Sequence, residues 1–339
     1  MLEKLILLIA LIVAAASASP ASAESVTVNS DNFVRAESDL YFANTVTRYG
    51  LGHLGHERAM ASIEAQPIIR LNRDTLYSGG VFDLDAGPVK LTLPAPGKRF
   101  LSLQIIDEDH YTHGVHYGGG VHTLTRQAIG TRYVFVGIRT LANPNDAADL
   151  AEVRALQDAM KVEQNSPGIF VIPDWDAQSR DKTRSLLLGL AGLLPDTRGM
   201  FGARGHVDPV RHLIGSAMGW GGNPESEALY LNRTAPKNDG NTIYQLKVGK
   251  VPVDGFWSIT IYNAKGYLEQ NQYNAYTLNN LTAKQNPDES VTVRFGGCDG
   301  KIPNCLPIPN NWNWMVRLYR PSSQILNGSW NFPDVEEVK

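Results

Sequence analysis

The chain has 339 residues, with 31 Lys and Arg against 34 Asp and Glu for a formal net charge of −3, and two cysteines. No stretch concentrates Lys or Arg, which argues against nucleic acid or an anionic membrane surface as a partner, since both are held through clustered positive charge. The length exceeds the usual range of one hydrophobic core, so two domains are expected.

Lys4, the apolar run Leu5 to Ala16 and the small residues Ala21-Ser22-Ala23 before Glu24 have the layout of a cleaved secretory signal. Its apolar core is shorter than the roughly 20 residues a spanning helix needs. The expectation is a signal peptide over 1–23 and a periplasmic or secreted mature chain with no membrane span after cleavage, an uncleaved anchor being the alternative. Removing 1–23 takes away Glu3 and Lys4, which leaves the charge unchanged.

Downstream, Val34, Leu40, Ala43 and Val46 recur at helical steps between Asp31 and Tyr49, ahead of Gly50 and Gly52, and predict an opening helix. The period then shortens. Pro67 to Leu71, Val81 to Leu84, Val89 to Leu93, Phe100 to Ile106 and Arg132 to Thr140 read as antiparallel strands. Asn145 or Asp146 can cap a helix with the stripe Leu150, Val153, Leu156 and Met160, and Ser179 can cap a second running to Leu194 and closed by Pro195. The stretch Gly215 to Gly222 lacks a phosphate-loop ending and reads as a packed turn. Strands resume at Thr242 to Val248, Phe256 to Asn263, Ser290 to Phe295 and Met315 to Arg320. In Phe256 to Asn263, Trp257, Ile259 and Ile261 share one face and Ser258 and Thr260 the other, the pattern of a sheet with one buried side. Cys298 and Cys305 lie seven apart in a Gly- and Pro-rich loop, which in an oxidising compartment favours a local disulfide. The expected divisions are 24–144, a helical and Gly-rich segment 145–225, and 226–339.

Two segments carry candidate chemistry. Leu101, Leu103 and Ile105 share a strand face that runs directly into Asp107 and Asp109, and buried carboxylates there need cationic or metal partners unless the strand has reached solvent. Around them stand His110, His113, His116 and His122, ligand types for Zn, Mn or Fe, with a Gly-rich hairpin able to fold His122 towards His116; an incidental, solvated hairpin is the competing reading. The second segment, Arg70 to Ser78, holds Arg70, Asn72, Arg73, Asp74 and Tyr77. Its arginines can pair with Asp107 or Asp109 or hold an anion, and a turn tied by Asn72 and Asp74 is the alternative. The two segments are expected to converge. No Gly-x-Ser-x-Gly elbow is present, and Ser179-Arg180-Asp181-Lys182 lacks the companion elements of a Ser-x-x-Lys hydrolase.

Asn72-Arg73-Asp74-Thr75-Leu76-Tyr77-Ser78 and Ile106-Asp107-Glu108-Asp109-His110-Tyr111 resemble the domain of unknown function 1254. Phe256 to Asn263, Asn304-Cys305-Leu306-Pro307, Arg317 to Pro321 and Gly328 to Pro333 resemble the domain of unknown function 1214, Cys305 standing where longer relatives carry Trp. The resemblance implies a mainly β protein of two β-sandwich domains, the C-terminal one jelly-roll-like, with a few intervening helices. It implies little about activity. The leading expectation is a protein that binds, and in one version hydrolyses, a small polar or anionic molecule in an interdomain pocket. Arg70, Asn72, Arg73, Asp74, Tyr77 and Tyr111 would orient the ligand, and Asp109 with His110 would supply acid–base chemistry. The second expectation is a non-catalytic envelope or carbohydrate-binding module using Tyr267, Tyr273 and Trp312 as its platform.

Overall fold

The computed structural model describes residues 25–66, 69–194 and 196–339. The expected signal over 1–23 and the closing Pro195 lie outside these residues, as do the first two residues of the expected strand Pro67 to Leu71, whose remainder forms a turn. Among the described residues no helix is long and apolar enough to cross a membrane.

The chain opens with α1 (Phe33–Tyr49), β1 (Gly55–His56) and the long β2 (Thr75–Asp83), so Thr75 to Ser78 lie inside a strand. Then come β3 (Val89–Leu93), β4 (Leu101–Asp107), β5 (Thr112–Tyr117), β6 (Gly120–Leu124), the short α2 (Arg126–Ile129) and β7 (Tyr133–Leu141). A five-stranded sheet β1-β2-β7-β4-β5 packs on a three-stranded one, completed by β8 (Lys161–Glu163) in the order β6-β3-β8. Leu101, Leu103, Ile105, Val134, Val136 and Ile138 from the larger sheet meet Val89, Leu91 and Leu93 from the smaller in one buried cluster. The segment 145–225 therefore contributes a strand to the first sandwich as well as helices.

Those helices are α3 (Ala147–Asp158), α4 (Ala177–Ala191) and α5 (Pro209–Gly219). Asp146 caps α3 through the amides of Ala148 and Asp149, as its short oxygen-bearing side chain allows. The cap of α4 is Asp176 rather than Ser179, whose hydroxyl donates to the Asp176 carbonyl and accepts from Val28 N–H. Five of the eight residues of the expected Gly-rich turn, Gly215 to Gly219, are helical, and Gly215 lets α5 pack tightly: a Cβ there would lie 2.8 Å from Met200. The buried side of α1 is not the Val34–Val46 stripe but Phe33, Ala36, Glu37, Ser38, Asp39 and Phe42. Its polar members meet Arg184 on Glu37 (2.9 Å), Trp175 Nε1 on Asp39 (2.8 Å) and Trp220 Nε1 on Ser38 (3.0 Å), while Asp39 Oδ1 has no partner among the described residues.

The C-terminal part runs through β9 (Ala228–Arg233), β10 (Tyr244–Val248), β11 (Trp257–Tyr262), β12 (Thr277–Asn279), β13 (Val291–Phe295), β14 (Cys305–Leu306), β15 (Asn313–Tyr319), the short α6 (Ser323–Leu326) and β16 (Glu336–Glu337). Two four-stranded sheets, β14-β13-β10-β16 and β12-β11-β15-β9, enclose Trp257, Ile259, Ile261, Trp314, Val316, Leu246, Val293 and Phe295. Cys298 and Cys305 form a disulfide beside this sandwich. Trp312 is fully buried against Phe295 and Tyr244, so it cannot belong to an exposed aromatic platform, and Tyr267 and Tyr273 are half-buried.

One expectation about β11 needs correction. Its polar positions Ser258 and Thr260 are as buried as its apolar ones, because that face of β12-β11-β15-β9 meets the first domain rather than water. Trp257 does face the core, next to Phe332. Trp257→Ala should therefore cost about 3 to 5 kcal/mol in denaturant unfolding, the range for emptying a buried aromatic site. An unchanged midpoint and slope would mean the side chain contributes no packing.

Candidate functional site

β2 and β4 both pair antiparallel with the intervening β7, so they run in the same direction. Thr75 and Leu101 stand level with Leu141 and Thr140, whereas Asp107 stands level with Phe82 across Val134. The segments Asn72 to Ser78 and Asp107 to Tyr111 thus occupy opposite ends of the sheet, about 20 Å apart at about 3.3 Å per residue. They do not converge, and no ion pair joins Arg70 or Arg73 to Asp107 or Asp109. Local alternation cannot reveal this, because it carries no information on which strands share an edge or a direction.

The acidic end satisfies itself. Asp107 Oδ1 accepts from the amides of Asp109 and Tyr111 (both 2.9 Å), and its Oδ2 is 2.8 Å from His113 Nε2. Asp109 is clamped between Arg35 (2.6 Å) and Arg204 (2.9 Å), and Tyr111 lies between the Arg204 guanidinium and the His212 ring. Buried Glu108 accepts from Tyr133 N–H at 2.9 Å. His110, at φ +63°, has both nitrogens committed. Gly221 N–H donates to Nε2 (2.8 Å), so Nδ1 carries the proton and donates to Ser216 Oγ (2.8 Å), which in turn donates to the His212 carbonyl. Burial and neighbouring His212 push the His110 imidazole well below its ordinary pKa. It is a buried neutral strut, with neither nitrogen left for the acid–base role expected of it. The four histidines do not form one cluster: His113 bonds Asp107, His110 is buried, and His116 and His122 pair with each other. Among the described residues no three His, Cys, Asp or Glu side chains are placed to share a metal ion.

The other end divides by function. Arg70, Arg73 and Asp74 are turned to the second domain. Asp74 is fully buried, and its Oδ1 accepts from Thr277 Oγ1 and Asn279 Nδ2 (both 3.0 Å). Arg317 donates to the Arg70 carbonyl (2.8 Å), Tyr262 donates to the Leu71 carbonyl (2.9 Å), and Arg70 and Arg73 lie over the rings of Tyr262 and Tyr276. Asn72 accepts from Asp74 N–H (2.9 Å), the local tie expected of a turn, but its amide also donates to Tyr77 Oη (3.0 Å) and points to Tyr319 Oη at 3.5 Å.

Tyr77, held by Asn72, borders a recess that sequence reasoning missed. Tyr77, Gly79, Phe135, Gly137, Arg139 and Gln104 share the face of the five-stranded sheet that points away from the sandwich core. Gly79 stands directly opposite Gly137, which in turn is opposite Gln104. The paired glycines sink the floor, and Tyr49 and Thr45 of α1 with Trp220 and Gly221 roof a cavity of about 250 Å³. The carboxylate within it, Glu57, is neutralised by Arg48 (2.6 Å) and bonded by Tyr49 Oη. At one end Arg139 donates to Gln104 Oε1 (2.9 Å) and the Gly221 carbonyl (3.2 Å), with its guanidinium over the Tyr77 ring. Among the described residues no carboxylate lies within ion-pair distance of Arg139. Burial disfavours its charge, but Tyr77, Tyr230 and Tyr319 favour it, and the guanidinium is held above its ordinary pKa. Burial and Tyr230 also keep the Tyr319 phenol protonated well above the usual range. The available signal was a glycine inside each of two strands, which marks close approach of backbone or ligand.

His110 generates a measurable pH dependence. The unfolded imidazole protonates near 6.5, whereas the folded one stays neutral well below that, so stability falls as pH drops below about 6.5, by up to about 1.4 kcal/mol per pH unit. Asp39 acts in the opposite sense, since burial raises its carboxyl to about 6 and acidification through that value relieves an ionised group the fold disfavours. Comparing the unaltered chain with His110→Gln cancels the Asp39 contribution. Thermal melts from pH 7.5 to 5 should fall less steeply for His110→Gln, and parallel curves would show that His110 is not held neutral.

Comparison with solved structures supports this architecture. The crystal structure of the VPA0106 protein from Vibrio parahaemolyticus is similar at a TM-score of 0.72 and 19% identity, covering 91% of this chain and 97% of that one. An uncharacterized protein from Burkholderia cenocepacia is similar at a TM-score of 0.50 and 12% identity, covering 91% and 87%. At these identities the likeness shows the fold alone. No curated protein sequence matches the chain. Residues 51–129 match the family described as Protein of unknown function (DUF1254), which places β2, β4 and both polar segments within it. Residues 227–323 match Protein of unknown function (DUF1214), spanning β9 to β15. With both matched regions in order along one chain, the protein belongs to the family that pairs an N-terminal DUF1254 domain with a C-terminal DUF1214 domain.

Proposed function

We propose that this protein binds a small carboxylate-bearing molecule with a flat or apolar body in the recess over Gly79 and Gly137. One observation carries the reading: Arg139 is a half-buried guanidinium without a carboxylate, and it opens onto a cavity walled by Tyr49, Phe135, Tyr77 and Trp220. A cation held by an amide oxygen, a peptide carbonyl and phenol rings has no counter-charge of its own, and an anion would supply one. The planar donor fork of Arg suits a carboxylate, while the glycine floor and aromatic walls suit a flat body. Tyr77, its ring under the Arg139 guanidinium and its hydroxyl bonded by Asn72, sets one edge of the recess. In this reading the chain is an exported binding protein whose disulfide belongs to an oxidising compartment.

Hydrolysis gains no comparable support. The Ser78 hydroxyl is 2.7 Å from His56 Nδ1, but Ser78 alternates with Tyr77 and Gly79 and is bonded by Gln157 on the opposite side of β2.

Benzoate and benzamide, equal in shape and different in charge, test the proposal through the fluorescence of Trp220 and by calorimetry. Benzoate should bind and benzamide should not, and Arg139→Gln should weaken benzoate about 10- to 100-fold, the value of one charge-assisted contact. Equal binding of the two probes, or an unaltered benzoate affinity in Arg139→Gln with the fold intact, would sink the idea.

A further inference from the structure

The hairpin between β5 and β6 crosses from one sheet of the first sandwich to the other, since β5 pairs with β4 and β6 with β3. Its turn, through Gly118 and Gly119, brings His116 and His122 together with ring centroids 4.6 Å apart and planes tilted by 45°. His116 is exposed and His122 half-buried. His53, His56, His110, His113 and His212 all bond to protein groups. Among the described residues nothing bonds the ring nitrogens of His116 or His122, so their lone pairs remain available. Gly114, two residues before His116 on the same face, makes room for the ring, because a Cβ there would lie 2.8 Å from His116 Nε2.

We infer that His116 and His122 form a two-imidazole site for a divalent transition-metal ion, with Cu²⁺ preferred and water completing the coordination. The spacing sets the preference. A metal bound at about 2.0 to 2.1 Å by an imidazole nitrogen lies about 3.2 Å from the ring centre. With one nitrogen of each ring turned to a shared ion, rings 4.6 Å apart subtend about 90° at it, the angle between neighbouring ligands of tetragonal Cu²⁺. A tetrahedral ion such as Zn²⁺ needs centres about 5.2 Å apart and hence a movement of the hairpin. The site lies on the far side of the five-stranded sheet's edge from the Arg139 recess and does not depend on it.

The test is a titration with CuCl₂ followed by calorimetry and by electron paramagnetic resonance. One equivalent should bind with nitrogen hyperfine structure from two imidazoles. His116→Ala and His122→Ala should each weaken binding about 10²-fold, as expected when a ligand held at high effective concentration is removed, and His206→Ala should leave it unaltered. Zn²⁺ should bind more weakly than Cu²⁺. If either single variant keeps the unaltered affinity, or the nitrogen signature survives in both, the ion sits elsewhere and the assignment fails. His116 is exposed and His122 only half-buried, and circular dichroism of each variant separates loss of the site from loss of the fold.

Discussion

The structure depends on a polar sheet face kept out of water. Ser258, Thr260, Tyr262, Thr277, Asn279 and Arg317 line one side of the β12-β11-β15-β9 sheet, and burying such a face without partners would cost several kcal/mol for the cation alone. The partners come from residues 70–74 of the first domain: two backbone carbonyls that accept from Arg317 and Tyr262, and the Asp74 carboxylate that accepts from Thr277 and Asn279. The acceptor-rich approach to β2 and the donor-rich second sheet are therefore two halves of one buried network. Its position decides where β2 begins, and hence where Tyr77 and Gly79 fall on the sheet that carries the recess.

From that junction the polar character spreads into the candidate site. Asn72 links the Asp74 backbone to Tyr77 Oη, Tyr77 underlies Arg139, and Arg139 reaches the Gly221 carbonyl, while the N–H of the same glycine donates to His110. The two polar segments are thus joined indirectly, through α5 and the Trp220–Gly221 roof, rather than by the ion pairs that their charges suggested. Opposite charges in sequence need not be partners. Asp109 finds Arg35 from α1 and Arg204 from the loop before α5, both distant in sequence from the strand it ends.

How much of this could be read from the residues depends on the kind of signal. Alternation in Phe256 to Asn263 identified the core face of β11 because a period of two is local, but it could not say that the polar face meets a second domain rather than solvent. The strand runs and the disulfide were legible for the same local reason, through alternation, turns and one short cysteine spacing, whereas the two sandwiches were what the family resemblance implied. The helix α1 was placed correctly, yet its buried side was misjudged: Glu37, Ser38 and Asp39 are inside, each answered by a side chain from a distant element. Arg139 escaped notice because a lone Arg near a strand end ordinarily marks a solvent-exposed position. Only the pairing of Gly79 with Gly137 turns it into the end wall of a cavity, and that pairing is a fact of register.

The shared network also bears on how such proteins can be inherited. The hydrogen-bond acceptors of residues 70–74 and the donors that meet them lie on separate domains, joined covalently only through the helical segment that precedes β9. A gene fusion or deletion that carried off one half would leave a face of bare carbonyls on one product and a buried arginine newly exposed on the other. Neither half is a self-sufficient module for recombination. A lone copy of either domain would need a replacement partner or a rewritten surface for the groups now paired across the junction.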